Sequence, residues 1–257
     1  MRIAIGIEYD GTAYSGWQRQ RTGLGVQQVL EQALSEVADE AIEVTCAGRT
    51  DTGVHASGQV AHFDTRAERS DRGWLLGANS NLPDDVNVSW VRPASDEFHA
   101  RFSAVARSYR YRILNCPVRS SLHRLQAWWV YQDLDHERMH EAAQALLGKH
   151  DFSAFRAAGC QASSAVRTIT SIGVERDGDW ILLDVTANAF LQHMVRNITG
   201  TLTAVGSGEE DIAWLSAVLE SRDRTRGGVA APPHGLTLVR AHYPEEFGIP
   251  VPHALGR

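Results

Sequence analysis

The sequence contains almost no lysine. Lys149 is the single lysine among 25 basic residues, so it is the one candidate for a Schiff-base or phosphate-binding lysine. Its surroundings, LLGKHDF, do not resemble the glycine-rich loop of P-loop proteins. The positive charge of this chain is therefore arginine charge, and a P-loop nucleotide site is not indicated.

Cysteine is also scarce. The three cysteines, Cys46, Cys116 and Cys160, lie far apart and form no CxxC pair. This spacing predicts neither a disulfide framework nor a thiolate zinc site.

Long hydrophobic runs are missing as well. No stretch approaches the ~18 uninterrupted apolar residues of a spanning helix, and the first ten residues reach Glu8 and Asp10 before an apolar core of signal-peptide length develops. We therefore expect a cytoplasmic protein that does not associate with membranes. With 257 residues, 43% of them hydrophobic, the chain can form one large domain or two of about 100 to 150 residues.

The formal net charge is −6, yet one part of the chain is strongly basic. Residues 99–124, called the basic segment below, contain six arginines and no acidic residue, with Phe102, Tyr109 and Tyr111 among them. Arginines interleaved with aromatic side chains suit phosphate contact and base stacking. A basic, solvated strand face would give a similar pattern.

The first hundred residues show the pattern βαββαβ. Apolar residues alternate from Ile3 to Tyr9, which predicts a half-buried strand, and VQQVLEQALSEVADE carries one apolar helical face. Further strands are predicted near 42–47, 59–64 and 86–92, with a helix near 73–81 that ends before Pro83.

The second half repeats this order with additions. Asp177-Gly178 predicts a hairpin between strands at 169–175 and 180–186. The remaining predicted elements are strands near 105–114 and 236–241, a short WWVY strand, and helices near 135–147, 190–205 and 211–221. We predict an α+β protein of two ferredoxin-like halves, residues 1–100 and 101–257.

The loop GRTDTGVHA, residues 48–56, carries one carboxylate, Asp51. Asp and Thr side chains bond their own backbone in turns, and Gly53 permits unusual dihedral angles, so an ordinary turn explains the pattern locally. Arg49 could then serve only as a surface partner of Asp51.

The segment His136-Glu137-Arg138-Met139-His140 fits the zinc-protease motif H-E-x-x-H. We rank a zinc hydrolase low, because His136 falls in the first turn of the predicted helix and no third ligand follows at a known spacing. A non-catalytic RNA-binding module, using the basic segment alone, is a second alternative.

Four segments resemble one enzyme family, in that family's order. They are YDGTAYSGWQRQ (9–20), GRTDTGVHA (48–56), FHARFSAVARSYRY (98–111) and NAFLQHMVRNITG (188–200). Together they are similar to the tRNA pseudouridine synthase A family, from about Arg2 to Tyr243. The resemblance implies two ferredoxin-like halves with sheets joined across a central cleft, a homodimer, no cofactor or metal, and isomerisation of uridines at positions 38 to 40 of the tRNA anticodon arm.

The resemblance also implies roles for individual residues. Asp51 is the expected catalytic carboxylate, either as a nucleophile or as the base that removes a ribose proton. Arg196 is its expected cationic partner, although a surface helix arginine is the alternative. Tyr109 is expected to stack on an extruded base and relay a proton, whereas Tyr111 suits the core better.

Weaker expectations concern substrate binding. Arg49 is expected to displace the target nucleotide or hold its phosphate. Arg110 and Arg112 are expected to contact phosphates. Leu236, in HGLTLV, could pack on the uracil, but an ordinary core leucine is the simpler interpretation.

Overall fold

The computed structural model describes residues 1–251, which form two compact units. Unit 1 comprises Met1–Arg107 and the described residues from Thr237 onward, and unit 2 comprises Ser108–Leu236. Both contain helices and a mostly antiparallel sheet, so the predicted α+β class is confirmed. The division of the chain into two ferredoxin-like halves at residue 100 remains a prediction.

Unit 1 contains the order βαββαβ that the sequence predicts, followed by a strand from the far end of the chain. Its elements are β1 (Arg2–Tyr9), α1 (Val26–Ala38), β2 (Thr45–Cys46), β3 (His55–Asp64), α2 (Asp71–Asn81), β4 (Val86–Ala94) and β10 (Leu236–His242). β1 pairs antiparallel with β3 and β4. β2 and β10 pair with different ends of β3, antiparallel and parallel respectively.

The helices of unit 1 follow from their local sequence. α1 buries an apolar stripe that includes Val26, Leu30 and Leu34, spaced as one helical face. Ser70 caps α2 by accepting a hydrogen bond from the Gly73 amide at 3.1 Å.

β1 differs from the half-buried strand that the alternation predicts. Residues from Ile3 to Ile7 are all buried, so both faces of the strand are covered. Ala4 packs in a cluster of buried residues that includes Val60 and Phe98. A Cβ on Gly6 would lie 2.0 Å from Nε1 of Trp90. The prediction was wrong because small residues allow large side chains to pack on the face that seemed exposed.

Unit 2 carries the rest of the chain. Its elements are β5 (Ala106–Asn115), β6 (Trp128–Val130), α3 (His136–Ala143), β7 (Gly148–Asp151), β8 (Val166–Asp177), β9 (Trp180–Ala187), α4 (Met194–Gly206) and α5 (Ile212–Ser221). The sheet has the order β5-β9-β8-β7, and β6 lies parallel beside β5. The first two residues of β5 belong to unit 1.

The predicted hairpin is confirmed, with Gly178 at a positive φ of 58° between β8 and β9. Two details differ. α3 ends at Ala143 and continues as a short 3-10 turn, and Gly148 opens the edge strand β7 that the sequence pattern did not reveal. α4 begins four residues later than predicted because His193 adopts a left-handed φ of 60°.

Within residues 1–251, no helix combines the length and apolarity that crossing a bilayer would require.

Candidate functional site

The backbone of the Asp51 loop is a tight turn. The carbonyl of Asp51 accepts a hydrogen bond from the Val54 amide at 3.1 Å, and Gly53 adopts a φ of +74°. The turn that Asp, Thr and Gly predict locally is therefore confirmed. This geometry places a half-buried carboxylate at the start of the turn.

Segment 9–17, called the brace below, supports this turn through hydrogen bonds. The Trp17 amide donates to the Thr50 carbonyl at 3.0 Å, and the Gly53 amide donates to the Tyr14 carbonyl at 3.4 Å. The hydroxyls of Tyr9 and Thr50 form a buried hydrogen bond of 2.7 Å. The first of the four family-like segments thus supports the second, a role that the sequence did not reveal.

Two glycines of the brace allow its backbone to approach the backbone of the Asp51 loop closely. A Cβ on Gly11 would lie 2.0 Å from the Val54 carbonyl oxygen, and a Cβ on Gly16 would lie 2.6 Å from that of Thr50. Gly16 also has a φ of +95°. Backbone therefore packs directly on backbone on both sides of Asp51, and any side chain at these glycines would push the loop away.

His55, which follows the Asp51 turn, contacts the start of the brace. Its Nδ1 lies 3.0 Å from the Gly11 amide and 3.1 Å from a carboxylate oxygen of Asp10. Burial opposes ionisation of Asp10, but hydrogen bonds from Thr12 and the nearby His55 outweigh it and lower the pKa of Asp10. Asp10 is thus an anion held by hydrogen bonds within its own turn. Arg49 lies exposed in the same unit.

In unit 2, the two tyrosines of β5 have different surroundings. Tyr111 is fully buried, and its hydroxyl donates to the Pro232 carbonyl at 2.7 Å. Burial raises the pKa of Tyr111 far above its usual range. This confirms that Tyr111 is a core residue. Tyr109 is 8% exposed and contacts Phe190 edge-to-face, with ring centroids 5.0 Å apart.

Arg196 lies in the first turn of α4 and is half-buried. Its Nε donates to the Ala231 carbonyl at 2.8 Å, while its own carbonyl accepts from the Ala231 amide at 3.0 Å. A Cβ on Gly200, one helical turn later, would lie 1.7 Å from the Val229 carbonyl oxygen. The segment 228–231 therefore lies directly on α4 and is joined to it by both the side chain and the backbone of Arg196.

The arginines of the basic segment divide into two groups. Arg110 forms a two-pronged ion pair, with Nε and Nη2 each 2.8 Å from an oxygen of Asp184. Arg112 is half-buried, and burial, with the charge of Arg110, lowers its pKa. Arg107 donates to the carbonyls of Ala47, Ala104 and Arg101. The other three, Arg101, Arg119 and Arg124, are exposed.

A family model described as tRNA pseudouridine synthase matches residues 5–103 and 142–244. The chain belongs to the tRNA pseudouridine synthase family. Among relatives named tRNA pseudouridine synthase A, that of Pseudoalteromonas atlantica is 57% identical over 97% of this chain and 95% of its own. Those of Hydrogenovibrio crunogenus and Methylococcus capsulatus are both 55% identical, over 96% and 97% of this chain and 95% and 92% of their own.

The resemblance seen in the sequence is therefore confirmed, and the activity of the family is isomerisation of uridine in tRNA. The tRNA pseudouridine synthase model covers the Asp51 loop in its first match and Arg196 and Leu236 in its second. Tyr109, Arg110 and Arg112 lie between the two matched stretches. The expected role of Tyr109 therefore depends on the resemblance of residues 98–111, and those of Arg110 and Arg112 depend on the basic segment.

Three further residues were noted in the sequence. Leu236 is buried at the start of β10, as an ordinary core leucine would be. The ring of His140 contacts the backbone of Val174, which donates its amide to Nδ1 at 3.2 Å. His136 opens α3 directly after its capping residue Asp135, as its place in the sequence predicts. Among the described residues, no group of three or more His, Cys, Asp or Glu side chains could hold a metal ion.

Proposed function

We propose that this tRNA pseudouridine synthase isomerises uridines at positions 38 to 40 of the anticodon arm, with Asp51 as its catalytic carboxylate and with the target base flipped out of its stack. One observation carries the proposal. Asp51 is a half-buried carboxylate at the head of a turn that backbone hydrogen bonds and two close-packed glycines hold in place. A catalytic group needs this kind of fixed position.

The reaction explains the need for a carboxylate. Formation of pseudouridine breaks the bond between N1 of the base and C1′ of the ribose, turns the base, and joins C1′ to C5. A carboxylate can attack the sugar or the base, or it can remove a ribose proton, and both courses fit a single Asp51. The target base must leave its stack before either can occur.

The other proposed site residues have separate roles. We assign Arg196 as the cation that keeps the catalytic carboxylate ionised, and Tyr109 as the residue that stacks on the flipped base and relays a proton. Arg49 is assigned to the displaced nucleotide and Leu236 to packing on the uracil. Arg110 and Arg112 are assigned to phosphates; the fixed orientation that Asp184 gives Arg110 supports a specific contact over a diffuse one.

The proposal extends to the whole enzyme. Each unit is assigned as a ferredoxin-like half, which the βαββαβ order of unit 1 supports. The enzyme is proposed to work as a cytoplasmic homodimer that requires neither a cofactor nor a metal ion.

The decisive experiment uses Asp51→Asn, which keeps the size of the side chain and removes its charge. Pseudouridine mapping on incubated tRNA should show formation at positions 38 to 40 with the parent enzyme and background levels with the variant. Binding of tRNA should stay within about 1 kcal/mol of the parent, since phosphate contacts dominate affinity. Asp84→Asn, an exposed carboxylate in the turn before β4, is the matched control and should retain full activity.

Substantial pseudouridine formation by folded Asp51→Asn protein would remove Asp51 from the mechanism. In that case the loop would be only a turn, and the variant should show a modest loss of thermal stability with near-normal turnover.

A further inference from the structure

Unit 1 carries an exposed aromatic side chain in a turn that is unusually well fixed. Phe102 is 76% exposed, although it is large and apolar. The turn that presents it, residues 99–103, begins the basic segment. A single exposed apolar side chain is ordinary on a protein surface, so only the surroundings of Phe102 can indicate a ligand.

Hydrogen bonds fix this turn before any partner arrives. The Ser103 amide donates to the His99 carbonyl at 2.8 Å, and the His99 amide donates to the Ser103 hydroxyl at 2.9 Å. Nδ1 of His99 accepts from the amides of Arg101 and Phe102, each at 3.2 Å. The side chain of Phe102 is therefore presented from an ordered backbone, which lowers the entropy cost of binding.

Aromatic rings are layered beneath Phe102. The His99 ring lies 4.3 Å from the Phe102 ring at 32°, and the buried His62 ring lies 4.8 Å from that of His99. Nδ1 of His62 accepts from the Ala100 amide at 3.2 Å. Burial, with the charges of Arg2 and Arg101, lowers the pKa of His99, so its ring is neutral at pH 7 and stacks without a charge penalty.

Positive charge accompanies the stack. The guanidinium carbon of Arg101 lies 5.6 Å from the Phe102 ring centroid, within cation–π range. Arg107 donates to the Arg101 carbonyl at 2.7 Å and so fixes the same turn. The nearest acidic residues in the sequence, Asp96 and Glu97, precede the turn, and Arg2 binds the Asp96 carbonyl.

We propose that Phe102, with His99 beneath it and Arg101 beside it, is a stacking platform for an unpaired base of the tRNA substrate, with Arg101 on the adjoining phosphate. A flat aromatic face beside an arginine suits a single-stranded nucleotide of any sequence, because every base has a face that can stack. The platform is a binding surface of unit 1, and it rests on the proposed function because it assumes a tRNA substrate.

The test measures tRNA affinity for Phe102→Ala, Phe102→Tyr and Arg101→Ala across a range of salt concentrations. Loss of one stacked base should weaken binding about tenfold in Phe102→Ala, with an unchanged salt dependence, while Phe102→Tyr should bind like the parent. Arg101→Ala should flatten the plot of log affinity against log salt by about one phosphate. Leu76→Ala, an exposed apolar residue on α2, is the control and should change nothing.

Two outcomes would overturn the platform. Parent-like affinity of Phe102→Ala would show that no base stacks there. A changed oligomeric state of Phe102→Ala in sedimentation, with affinity per protomer unchanged, would assign this surface to contact between copies of the chain. Failure of the proposed function is a different result, namely no pseudouridine at positions 38 to 40 from the parent enzyme, and the affinity comparison remains readable in that case.

Discussion

The Asp51 loop and the basic segment are both rich in candidate functional residues, but the protein holds them by different means. In the loop, backbone amides and carbonyls contact one another directly, and glycines make the contact possible. In the basic segment, long arginine side chains reach partners far away in the sequence, such as Asp184 for Arg110 and the Ala47 carbonyl for Arg107.

This difference decides which substitutions each region tolerates. A backbone contact has no spare room, so an added methyl group displaces the loop. An arginine side chain can lose one partner and turn to solvent or to a phosphate. We therefore expect substitutions in the brace of the Asp51 loop to act on stability and turnover together, and substitutions in the basic segment to act mainly on binding.

The largest effect is expected from Gly11→Ala. Its Cβ would lie 2.0 Å from the Val54 carbonyl oxygen, so the brace must move away from the loop. We expect the free energy of unfolding to fall by about 3 kcal/mol, the upper part of the range for overpacking, and pseudouridine formation to fall with it. Urea unfolding and the pseudouridine assay measure the two effects.

Gly48→Ala is the matched control, because a Cβ on Gly48 would have no heavy atom within 4 Å. It should unfold within about 0.5 kcal/mol of the parent. Equal stabilities of the two variants would contradict the backbone contact as the support of the Asp51 loop.

The contrast also explains what could be predicted from the sequence. The turn at Asp51 and the hairpin at Gly178 were predictable because glycine and its neighbours specify backbone conformation locally. The brace by segment 9–17 was not, because its contacts connect backbone groups about 35 residues apart. The double burial of β1 was missed for the same reason, since Trp90 covers Gly6 from another strand.

The same limit applies to the candidate functional residues. Asp51 and Arg196 could be proposed as site residues because they lie within family-like segments, whereas the arginines of the basic segment could not be ranked. Their pattern is uniform along the chain, and only the fold shows that Arg110 has a carboxylate partner while Arg101 is exposed.

A smaller effect is expected from His62, which anchors the start of the basic segment through the Ala100 amide. Burial, with the charge of Arg2, lowers the pKa of His62 to about 4. The unfolded chain, with a pKa near 6.5, therefore binds the proton first as the pH falls. His62 should reduce the free energy of unfolding by up to about 3 kcal/mol between pH 6.5 and 4, with no further loss below.

His62→Asn, whose amide oxygen can replace Nδ1 as the acceptor, should remove this pH dependence. Urea unfolding of parent and variant at several pH values between 4 and 7 isolates the histidine, since the carboxylates titrate in both proteins. Parallel curves for the two proteins would contradict a neutral, buried His62.

The smallest effect is expected at Arg110, where a phosphate contact and a purely structural ion pair predict different results. Nε and Nη2 donate to Asp184, and Nη1 is the third nitrogen of the guanidinium. Because the two side chains are 26% and 49% exposed, the pair should contribute no more than about 1 kcal/mol to stability.

If Arg110 also binds a phosphate of the tRNA, Arg110→Ala should flatten the salt dependence of binding by about one phosphate. Asp184→Asn should instead keep that dependence and tighten binding slightly, because it removes a negative charge near the RNA while Arg110 remains. A purely structural pair predicts another result, in which both variants lose a similar, small amount of stability and neither changes the salt dependence.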